Sequence, residues 1–241
     1  MRRKPNSGIG ARVAAADWQR IAAALDERGH AIIPAVLTPA ECRMLASLYG
    51  CDDRFRSRVV MQRHGFGRGE YKYLNYPLPE LVADLRQTLY PQLAEIAGRW
   101  QAALGGGDPY PQDLDGFLAR CHAAGQKRPT PLILKYAADD YNCLHQDLYG
   151  PLVFPIQLTI LLSAPETDFT GGEFMLVEQR PRAQSKGEVV PLAQGDAVAF
   201  AVHHRPQRGT RGFYRVNMRH GVSRLRSGER YTLGIIFHDA A

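Results

Sequence analysis

The sequence predicts an α+β fold in which a double-stranded β-helix, or jelly roll, forms the core and N-terminal helices buttress it. From residue 131 onward, short apolar and β-branched segments alternate with turn residues, which is the pattern of a sheet protein. Before residue 131, apolar residues recur mostly at helical spacing. Many short strands separated by turns are typical of two antiparallel sheets packed as a jelly roll.

The chain has 241 residues, of which 45% are hydrophobic, so it is long enough to bury one sizeable core. We therefore expect residues 1–241 to form a single domain. Within it, residues 1–130 are expected to supply mainly helical support and a lid. Residues 131–241 are expected to form the jelly roll that carries the active site.

The formal net charge of +6 permits an anionic partner, nucleic acid above all. An arginine-rich composition inherited from a GC-rich genome would give the same charge without such a partner. The four cysteines show no CxxC pairing, which favours reduced thiols in a cytoplasmic protein. No apolar run is long enough to span a membrane, so no membrane partner is expected.

The N-terminal region begins with basic and small residues, and we expect a disordered lead over residues 1–12. A first helix is expected over residues 17–28, where apolar side chains recur on one stripe, and a short strand over residues 31–34. Thr38 and Glu41 then form a capping box that begins a second helix.

Residues 52–77 interleave arginines with aromatic residues and glycines. Glycines supply mobility, aromatic faces stack on bases and arginine heads bind phosphates. We therefore predict a flexible lid over the active site; an irregular connection pinned to the core by its aromatic residues is the alternative. The predicted substrate contacts in this lid are Arg63, Phe66, Arg68, Tyr71 and Tyr73.

Two further helices are predicted between the lid and the sheets, over residues 79–104 and 114–124. Pro91 should kink or split the first of them, because proline removes a helical hydrogen bond. His122 on the second is interpreted as a polar partner and not as a metal ligand.

The predicted strands of the core share short length, apolar or alternating character and flanking turn residues. They occupy residues 132–136, 141–146, 154–163, 173–177, 188–192, 197–201, 214–220 and 230–238. His203 and His204 lie between two of these strands and are interpreted as loop residues or as residues that lie next to the metal ligands.

A candidate metal site begins at His145 and Asp147, whose side chains point to one face of a strand because successive side chains alternate. An imidazole and a carboxylate placed in this way can bind one metal ion from the same side. His220, on a later strand, would complete a two-histidine, one-carboxylate set with open coordination positions. This open facial set is typical of Fe(II) in oxygenases.

Arg230 follows His220 by ten residues and opens an apolar strand. A buried arginine that faces a metal pocket needs an anion, and its planar guanidinium suits a carboxylate.

This ordered set of H-x-D, distal histidine and arginine resembles the Fe(II)- and 2-oxoglutarate-dependent dioxygenases, with the spacing of the prolyl hydroxylases. The segment Thr170-Gly171-Gly172-Glu173-Phe174 between them strengthens the resemblance. The longer runs YNCLHQDLYG, FTGGEF and RHGVSRLRSGERYTLGIIFHD are similar to a bacterial oxygenase family whose domain label points to oxidation of damaged nucleic acid.

The resemblance implies that 2-oxoglutarate chelates the iron and pairs its far carboxylate with Arg230. Tyr136 falls where related enzymes place a tyrosine that contacts this co-substrate, and Thr232 would add a hydroxyl group on the same face. With O2 as the second co-substrate, the implied reaction hydroxylates a C–H bond while 2-oxoglutarate becomes succinate. A hydroxylated N-methyl group would then leave as formaldehyde.

Two other functions fit parts of this pattern. A zinc hydrolase can also use two histidines and an aspartate, but it would have no use for Arg230 at its spacing. A catalytically inactive jelly-roll binding module would retain the fold, but it would not need an intact ligand set.

The substrate has more than one candidate. AlkB-like nucleic-acid demethylases share the wording Leu-His-Gln-Asp, but they carry an asparagine and a second arginine where this chain has Leu134 and Ile236. Those departures favour a prolyl-type hydroxylase of proteins or peptides, or a hydroxylase of small molecules. The basic, aromatic lid favours nucleic acid, presented as a single strand or a flipped base. We therefore predict oxidative dealkylation of damaged, methylated nucleic acid.

Overall fold

The computed structural model describes residues 7–241 of the chain. The helices in this range are α1 (Ser7–Ala14), α2 (Trp18–Arg28), α3 (Pro39–Ser47), α4 (Glu80–Ala103) and α5 (Leu114–Ala123).

The strands of the same described range are short, as predicted, but begin well before residue 131. They are β1 (His30–Ile33), β2 (Phe55–Val60), β3 (Gly67–Arg68), β4 (Glu70–Leu74), β5 (Leu132–Tyr136), β6 (Tyr141–His145), β7 (Ile156–Leu161), β8 (Phe169–Gly171), β9 (Phe174–Gln179), β10 (Lys186–Val190), β11 (Ala197–Ala201), β12 (His204–Gly209), β13 (Gly212–Val222), β14 (Leu225–Gly228) and β15 (Arg230–Ile235).

Two antiparallel sheets form the core. The major sheet has the strand order β1-β11-β7-β15-β5-β4-β2, and the minor sheet has the order β10-β9-β13-β6-β3, with β12 also paired to β13. Buried side chains of the two sheets meet, as Phe174 does with Phe200 at a ring-centroid distance of 5.0 Å. The predicted α+β fold with a jelly-roll core and supporting helices is confirmed.

The helices pack on the outer face of the major sheet. The largest buried cluster joins apolar residues of α1 to α5 with one face of β7, whose Ile156, Leu158 and Ile160 are fully buried. The intervening residues of β7 point between the sheets, because side chains alternate along a strand. One face of β7 therefore packs against the helices, and the other face points into the space between the two sheets.

Local signals account for the ends of the first helices. The Asp17 side chain accepts a hydrogen bond from the backbone N–H of Arg20 at 3.0 Å, and Gly29 ends α2 with a φ of 78°. Thr38 and Glu41 form the expected capping box of α3. The predicted positions of these two helices and of β1 are confirmed.

The expected disordered lead over residues 1–12 is wrong from residue 7 onward, where α1 is formed; residues 1–6 lie outside the described residues. Ile9 and Val13 are one helical turn apart and are 1% and 2% exposed. Burial of this stripe against α4 stabilises a helix that its glycines and basic residues do not predict.

The segment 52–77 is also different from the expectation. Its strands β2 and β4 extend the major sheet beyond β5, and β3 joins the minor sheet. Lys72 is buried on β4, where its ammonium group donates to Asp52 at 2.6 Å and to the Tyr49 carbonyl at 2.8 Å. Half of the segment is therefore paired strand, and residues 1–130 supply strands as well as helices.

α4 runs without interruption through Pro91, so the predicted split is wrong. Leu85, Leu89 and Leu93 on one face of this helix are fully buried, and that burial offsets the lost hydrogen bond. The helix predicted over 114–124 is confirmed as α5.

The eight strands predicted after residue 131 are all present, with ends shifted by a few residues. Three further strands, β8, β12 and β14, were not predicted. β12 includes His204, which had been assigned to a loop, and it forms because β13 is long enough to pair with it over residues 212–217.

Within residues 7–241, no helix has both the length and the apolar character that a bilayer crossing requires.

Candidate active site

Two neighbouring strands of the minor sheet bring the predicted histidines together. His145 at the end of β6 is the cross-strand partner of His220 on β13, next to a shift in register. Their ring centroids are 4.2 Å apart. The His220 ring is buried beside Phe200 and Phe174, at centroid distances of 4.6 and 6.1 Å. This packing fixes the imidazole within the space between the sheets.

Asp147 lies two residues beyond His145, in the extended chain just after β6 ends. Its Oδ1 is 3.6 Å from Nε2 of His145, and its Oδ2 is 3.3 Å from Nε2 of His220. One potential ligand atom from each of the three side chains lies within 4.8 Å of the other two. The predicted two-histidine, one-carboxylate cluster is therefore assembled.

The hydrogen bonds of His145 set its tautomer. Its Nδ1 lies 2.8 Å from the Cys143 carbonyl oxygen, so Nδ1 carries the proton and donates to that oxygen. Nε2 is therefore the ring nitrogen that faces the cluster, 3.6 Å from Oδ1 of Asp147. Outer contacts of this kind commonly orient histidines that bind metals.

Both oxygens of Asp147 accept hydrogen bonds from side chains that the sequence reasoning missed. The Tyr149 hydroxyl donates to Oδ1 at 2.6 Å, and the Gln157 amide donates to Oδ2 at 2.7 Å. The same amide nitrogen lies 3.3 Å from Nε2 of His220. The sequence did contain a signal for Gln157, because the polar residues Gln157 and Thr159 alternate with apolar residues along β7.

The electrostatics of Asp147 and His220 favour the protonation states in which these two residues bind a divalent cation. Burial opposes ionisation of Asp147, but its hydrogen bond to His220 and the charges of both histidines hold its pKa well below the usual range. Burial and the charge of His145 lower the pKa of His220, which favours a neutral ring. A carboxylate and neutral imidazoles are the forms in which these groups act as ligands.

Arg230 begins β15 and is 2% exposed. Among the described residues, no hydrogen-bond partner is present for its Nε or for one terminal nitrogen. Its guanidinium carbon lies 5.6 Å from the ring centre of Tyr136 and 5.8 Å from that of Phe169. Burial lowers the pKa of Arg230 to about 10, so the group is still a cation at neutral pH. A buried cation with free donors is suited to an anionic ligand.

Strand register places the other predicted co-substrate residues beside Arg230. Tyr136 on β5 is directly opposite Arg230, and Thr232 is two residues further along the same face of β15. Tyr136 and Thr232 line a cavity of about 300 Å³ together with the two histidines and Asp147. Arg230 lines an adjoining cavity of about 180 Å³. The donor set and the unpaired guanidinium thus fit a metal ion and an anionic chelator.

The structure places two of the five predicted substrate contacts at the cavity and the other three elsewhere. Phe66 and Tyr71 line the larger cavity, and Phe66 is 46% exposed at its mouth. Tyr73 is 8% exposed and packs against Tyr149, so it faces the core and not the substrate. Arg63 and Arg68 are exposed and do not line the cavity, so the structure does not bring them into the site.

Sequence comparison assigns the chain to a family. Residues 69–240 match the model of the Oxygenase-NA family, described as oxygenases catalysing oxidative methylation of damaged DNA. Two uncharacterized proteins, from two strains of Mycobacterium tuberculosis, are each 58% identical over 165 residues. The matched region is 68% of this chain and 71% of each relative.

Solved structures with a similar fold are oxygenases. A prolyl-4-hydroxylase from Pseudomonas putida has a TM-score of 0.55 at 14% identity, covering 93% of this chain and 100% of the other. A 2-oxoglutarate–Fe(II) oxygenase family oxidoreductase from Burkholderia pseudomallei has a TM-score of 0.52 at 18% identity, with 94% of both chains covered. At these identities the likeness concerns the fold.

The family match, the jelly roll and the assembled histidine–aspartate cluster agree with one another. They confirm the expected enzyme class, for which Fe(II), 2-oxoglutarate and O2 are the implied cofactor and co-substrates. The chain belongs to the Oxygenase-NA family, and its fold is that of the Fe(II)- and 2-oxoglutarate-dependent oxygenases.

Proposed function

We propose that this oxygenase removes alkyl groups oxidatively from damaged bases in nucleic acid. The observation that carries the proposal is the family match, which names damaged DNA and spans residues 69–240, and therefore all three candidate metal ligands and Arg230. Oxidation of an N-methyl carbon gives an N-hydroxymethyl group, which releases formaldehyde and restores the N–H bond. The overall reaction consumes O2 and 2-oxoglutarate and yields succinate, carbon dioxide, formaldehyde and the repaired base.

In this proposal His145, Asp147 and His220 hold Fe(II), which when bound supplies the oxidising chemistry. Tyr149 and Gln157 hold the Asp147 carboxylate in place by donating to its two oxygens. Both donors would persist when a metal is bound, because a carboxylate oxygen has more than one lone pair. The protein thereby orients the ligand before the metal arrives.

Arg230 binds the far carboxylate of 2-oxoglutarate in this proposal. The position is buried, so the contact would form in a medium where a charge-assisted, bidentate hydrogen bond is strong. Thr232 offers a hydroxyl group on the same face, and Tyr136 closes the wall of the cavity beside the guanidinium.

The shape of the cavity supports a planar substrate group. Its volume of about 300 Å³ is at the lower end of small-molecule sites, so it suits one base and not a duplex. Tyr71 and the exposed Phe66 offer aromatic faces at its wall and mouth. A base that enters must leave its stack, as in a single strand or a flipped nucleotide.

The test is to supply the enzyme with Fe(II), 2-oxoglutarate and O2 and offer methylated single-stranded oligonucleotides or a peptide library. Loss of one CH2 per oligonucleotide, with formaldehyde and succinate formed in equal amounts, supports the proposal. Asp147→Ala is the control and should lose both Fe(II) binding and formaldehyde release. If the oligonucleotides remain unchanged and a peptide gains one oxygen atom, the enzyme is a protein hydroxylase and the proposal is wrong.

Protein hydroxylation is the second candidate because of one specific observation. Leu134 and Ile236, the positions where AlkB-like demethylases carry polar residues, both line the cavity. Both side chains are apolar, so this part of the cavity wall offers no hydrogen bonds to the edge of a base. The peptide arm of the experiment distinguishes this candidate directly.

A further inference from the structure

A second groove lies next to the candidate active site. Its volume is about 330 Å³, and it is bounded by the end of α4, the chain between β6 and β7, and residues of β12 and β13. Leu148, which is 46% exposed, lines this groove, while its neighbours Asp147 and Tyr149 line the active-site cavity. Because consecutive Cα atoms are only about 3.8 Å apart, the two spaces are separated by little more than one residue.

The groove contains nitrogen donors without protein partners. His203, His204 and Arg215 all line it, and the two imidazole rings are stacked with centroids 3.5 Å apart. Within residues 7–241, none of these three side chains forms a hydrogen bond or ion pair with another residue. Burial and the charge of Arg215 lower the pKa of His203, and burial, the adjacent His203 and Arg215 lower the pKa of His204. The rings thus favour the neutral form, in which each offers one N–H group beside a fixed cation.

No aspartate or glutamate lines this groove. A larger groove beside α1 and α2 differs in this respect, because it contains Asp17 and Glu188. There His30 lies 3.5 Å from Glu188, and Arg12 is paired with Glu41 at 2.7 Å. Basic residues of that groove therefore have acidic neighbours, whereas Arg215 has no ion-pair partner within residues 7–241.

We infer that the groove lined by His203, His204 and Arg215 binds a backbone phosphate of the substrate strand, adjacent to the nucleotide that enters the active-site cavity. The inference rests on the proposed function. Arg215 supplies a planar pair of donors that matches two phosphate oxygens, and the histidines donate further N–H groups. Such contacts set the register of a strand without reading its sequence.

This subsite requires that a good substrate extend beyond the damaged nucleotide by at least one phosphate. A methylated nucleoside would reach the cavity but not the groove. The exposed Leu148 lies between the two spaces, where it can contact the sugar that links them.

The experiment measures binding of a fluorescent single-stranded oligonucleotide with one N-methylated base. The full chain is loaded with Fe(II) and 2-oxoglutarate without O2, and the dissociation constant is determined at several salt concentrations. Arg215→Gln is compared with Arg43→Gln, which removes the same charge from an exposed position on α3 that lines neither space. Arg215→Lys retains the charge and should stay closer to the unmodified protein.

For Arg215→Gln we expect a dissociation constant raised about 5- to 10-fold, equivalent to about 1 to 1.4 kcal/mol. The logarithmic salt slope should fall in magnitude by about 0.7, the value for one phosphate contact on a single strand. Arg43→Gln should leave both quantities unchanged, and turnover of a methylated nucleoside should be the same in all variants.

Equal affinity and slope for Arg215→Gln and Arg43→Gln would overturn the subsite, as would an unmodified protein that does not bind the oligonucleotide. Dealkylation by the unmodified protein together with an unchanged Arg215→Gln variant rejects the subsite and leaves the proposed function standing. A specific loss of affinity in Arg215→Gln without any dealkylation supports the phosphate site and rejects the proposed reaction.

Discussion

At the active site, single side chains decide how the Asp147 carboxylate is presented. Tyr149 and Gln157 donate to different oxygens of it, so the group cannot rotate without losing a hydrogen bond. His145 is oriented in a similar way by the carbonyl of Cys143. The geometry of the candidate ligands is therefore determined by residues around them as much as by the ligands themselves.

Arg230→Ala should raise the concentration of 2-oxoglutarate needed for half-maximal turnover. Removing one partner of a buried charge pair costs about 2–5 kcal/mol, which corresponds to about 30-fold or more. Succinate formation at increasing 2-oxoglutarate concentrations measures the effect. Arg224→Ala is the matched control, because Arg224 is exposed and paired with Asp139 at 3.1 Å. If Arg230→Ala left the required 2-oxoglutarate concentration unchanged and Arg224→Ala raised it, Arg224 and not Arg230 would bind the co-substrate.

His238 should make the stability of the protein depend on pH. It is fully buried, and its Nδ1 accepts a hydrogen bond from the backbone N–H of Phe154 at 3.2 Å. Burial and the charge of Arg86 lower its pKa to about 4. In the unfolded chain the pKa returns to about 6.5, so the unfolded state binds more protons between these values. Stability is therefore fully present above about pH 6.5 and is lost as the pH falls towards 4.

The full effect of His238 is about 3 kcal/mol in the free energy of unfolding. His238→Asn retains an acceptor but cannot be protonated in this range. Urea unfolding at pH 7 and pH 4.5 should show a drop in stability that is about 2 kcal/mol smaller in the variant. Equal drops in both proteins would show that His238 does not control this transition.

Among the elements, the segment of residues 52–77 is the one whose role the structure changes most. Half of it is paired strand, and residues 61–69, between β2 and β4, form a tip over the site. Cys143 on β6 donates its backbone N–H to the Phe66 carbonyl at 2.9 Å, which ties this tip to the strand of His145. The tip is thus joined to β6 at the rim of the cavity.

Phe66→Ala should weaken oligonucleotide binding while leaving conversion of 2-oxoglutarate without substrate intact. Loss of one stacking contact costs about 1–3 kcal/mol, which is about fivefold or more in the dissociation constant. Phe213→Ala is the matched control, because Phe213 is 54% exposed on the hairpin of β12 and β13 and does not line the cavity. Similar losses in both variants would remove the specific role of the tip.

Across the whole molecule, a buried ion pair joins the helical layer to the C-terminal end of the chain. Arg86 on α4 and Asp239 are 1% and 0% exposed, and their charged groups are 2.9 Å apart. Arg86 also donates to the carbonyls of Ile236 and Phe237, both at 2.9 Å. Because the main buried cluster extends from Ile9 to Phe237, we infer that the described residues fold as one domain.

Asp239→Ala should destabilise the protein by about 3–5 kcal/mol, because it leaves the Arg86 charge buried and uncompensated. The double variant Arg86→Met with Asp239→Ala should recover part of this loss, since no buried charge then lacks a partner. Glu229→Ala is the control: it breaks an exposed pair with Lys135 at 2.8 Å and should cost less than about 1 kcal/mol. Thermal and urea unfolding measure all three, and equal losses in Asp239→Ala and Glu229→Ala would contradict this role.

Periodicity and motif spacing in the sequence predicted much of this molecule. The apolar strand patterns after residue 131 predicted the jelly roll, and the capping box at Thr38 predicted where α3 begins. The set formed by His145, Asp147 and His220 was assembled as expected. These features depend on local residue order, which the sequence displays directly.

The sequence by itself determined which residue types are available for the chemistry, and it placed the two histidines of the candidate site on strands. Only the tertiary structure decided the contacts between distant strands: the register that faces His220 with His145, and the approach of Gln157 to Asp147. It also turned Tyr73 into the core while leaving Phe66 at the cavity mouth. The physical reason is that a shift of one residue in strand pairing reverses the direction of every side chain, and long-range packing selects that register.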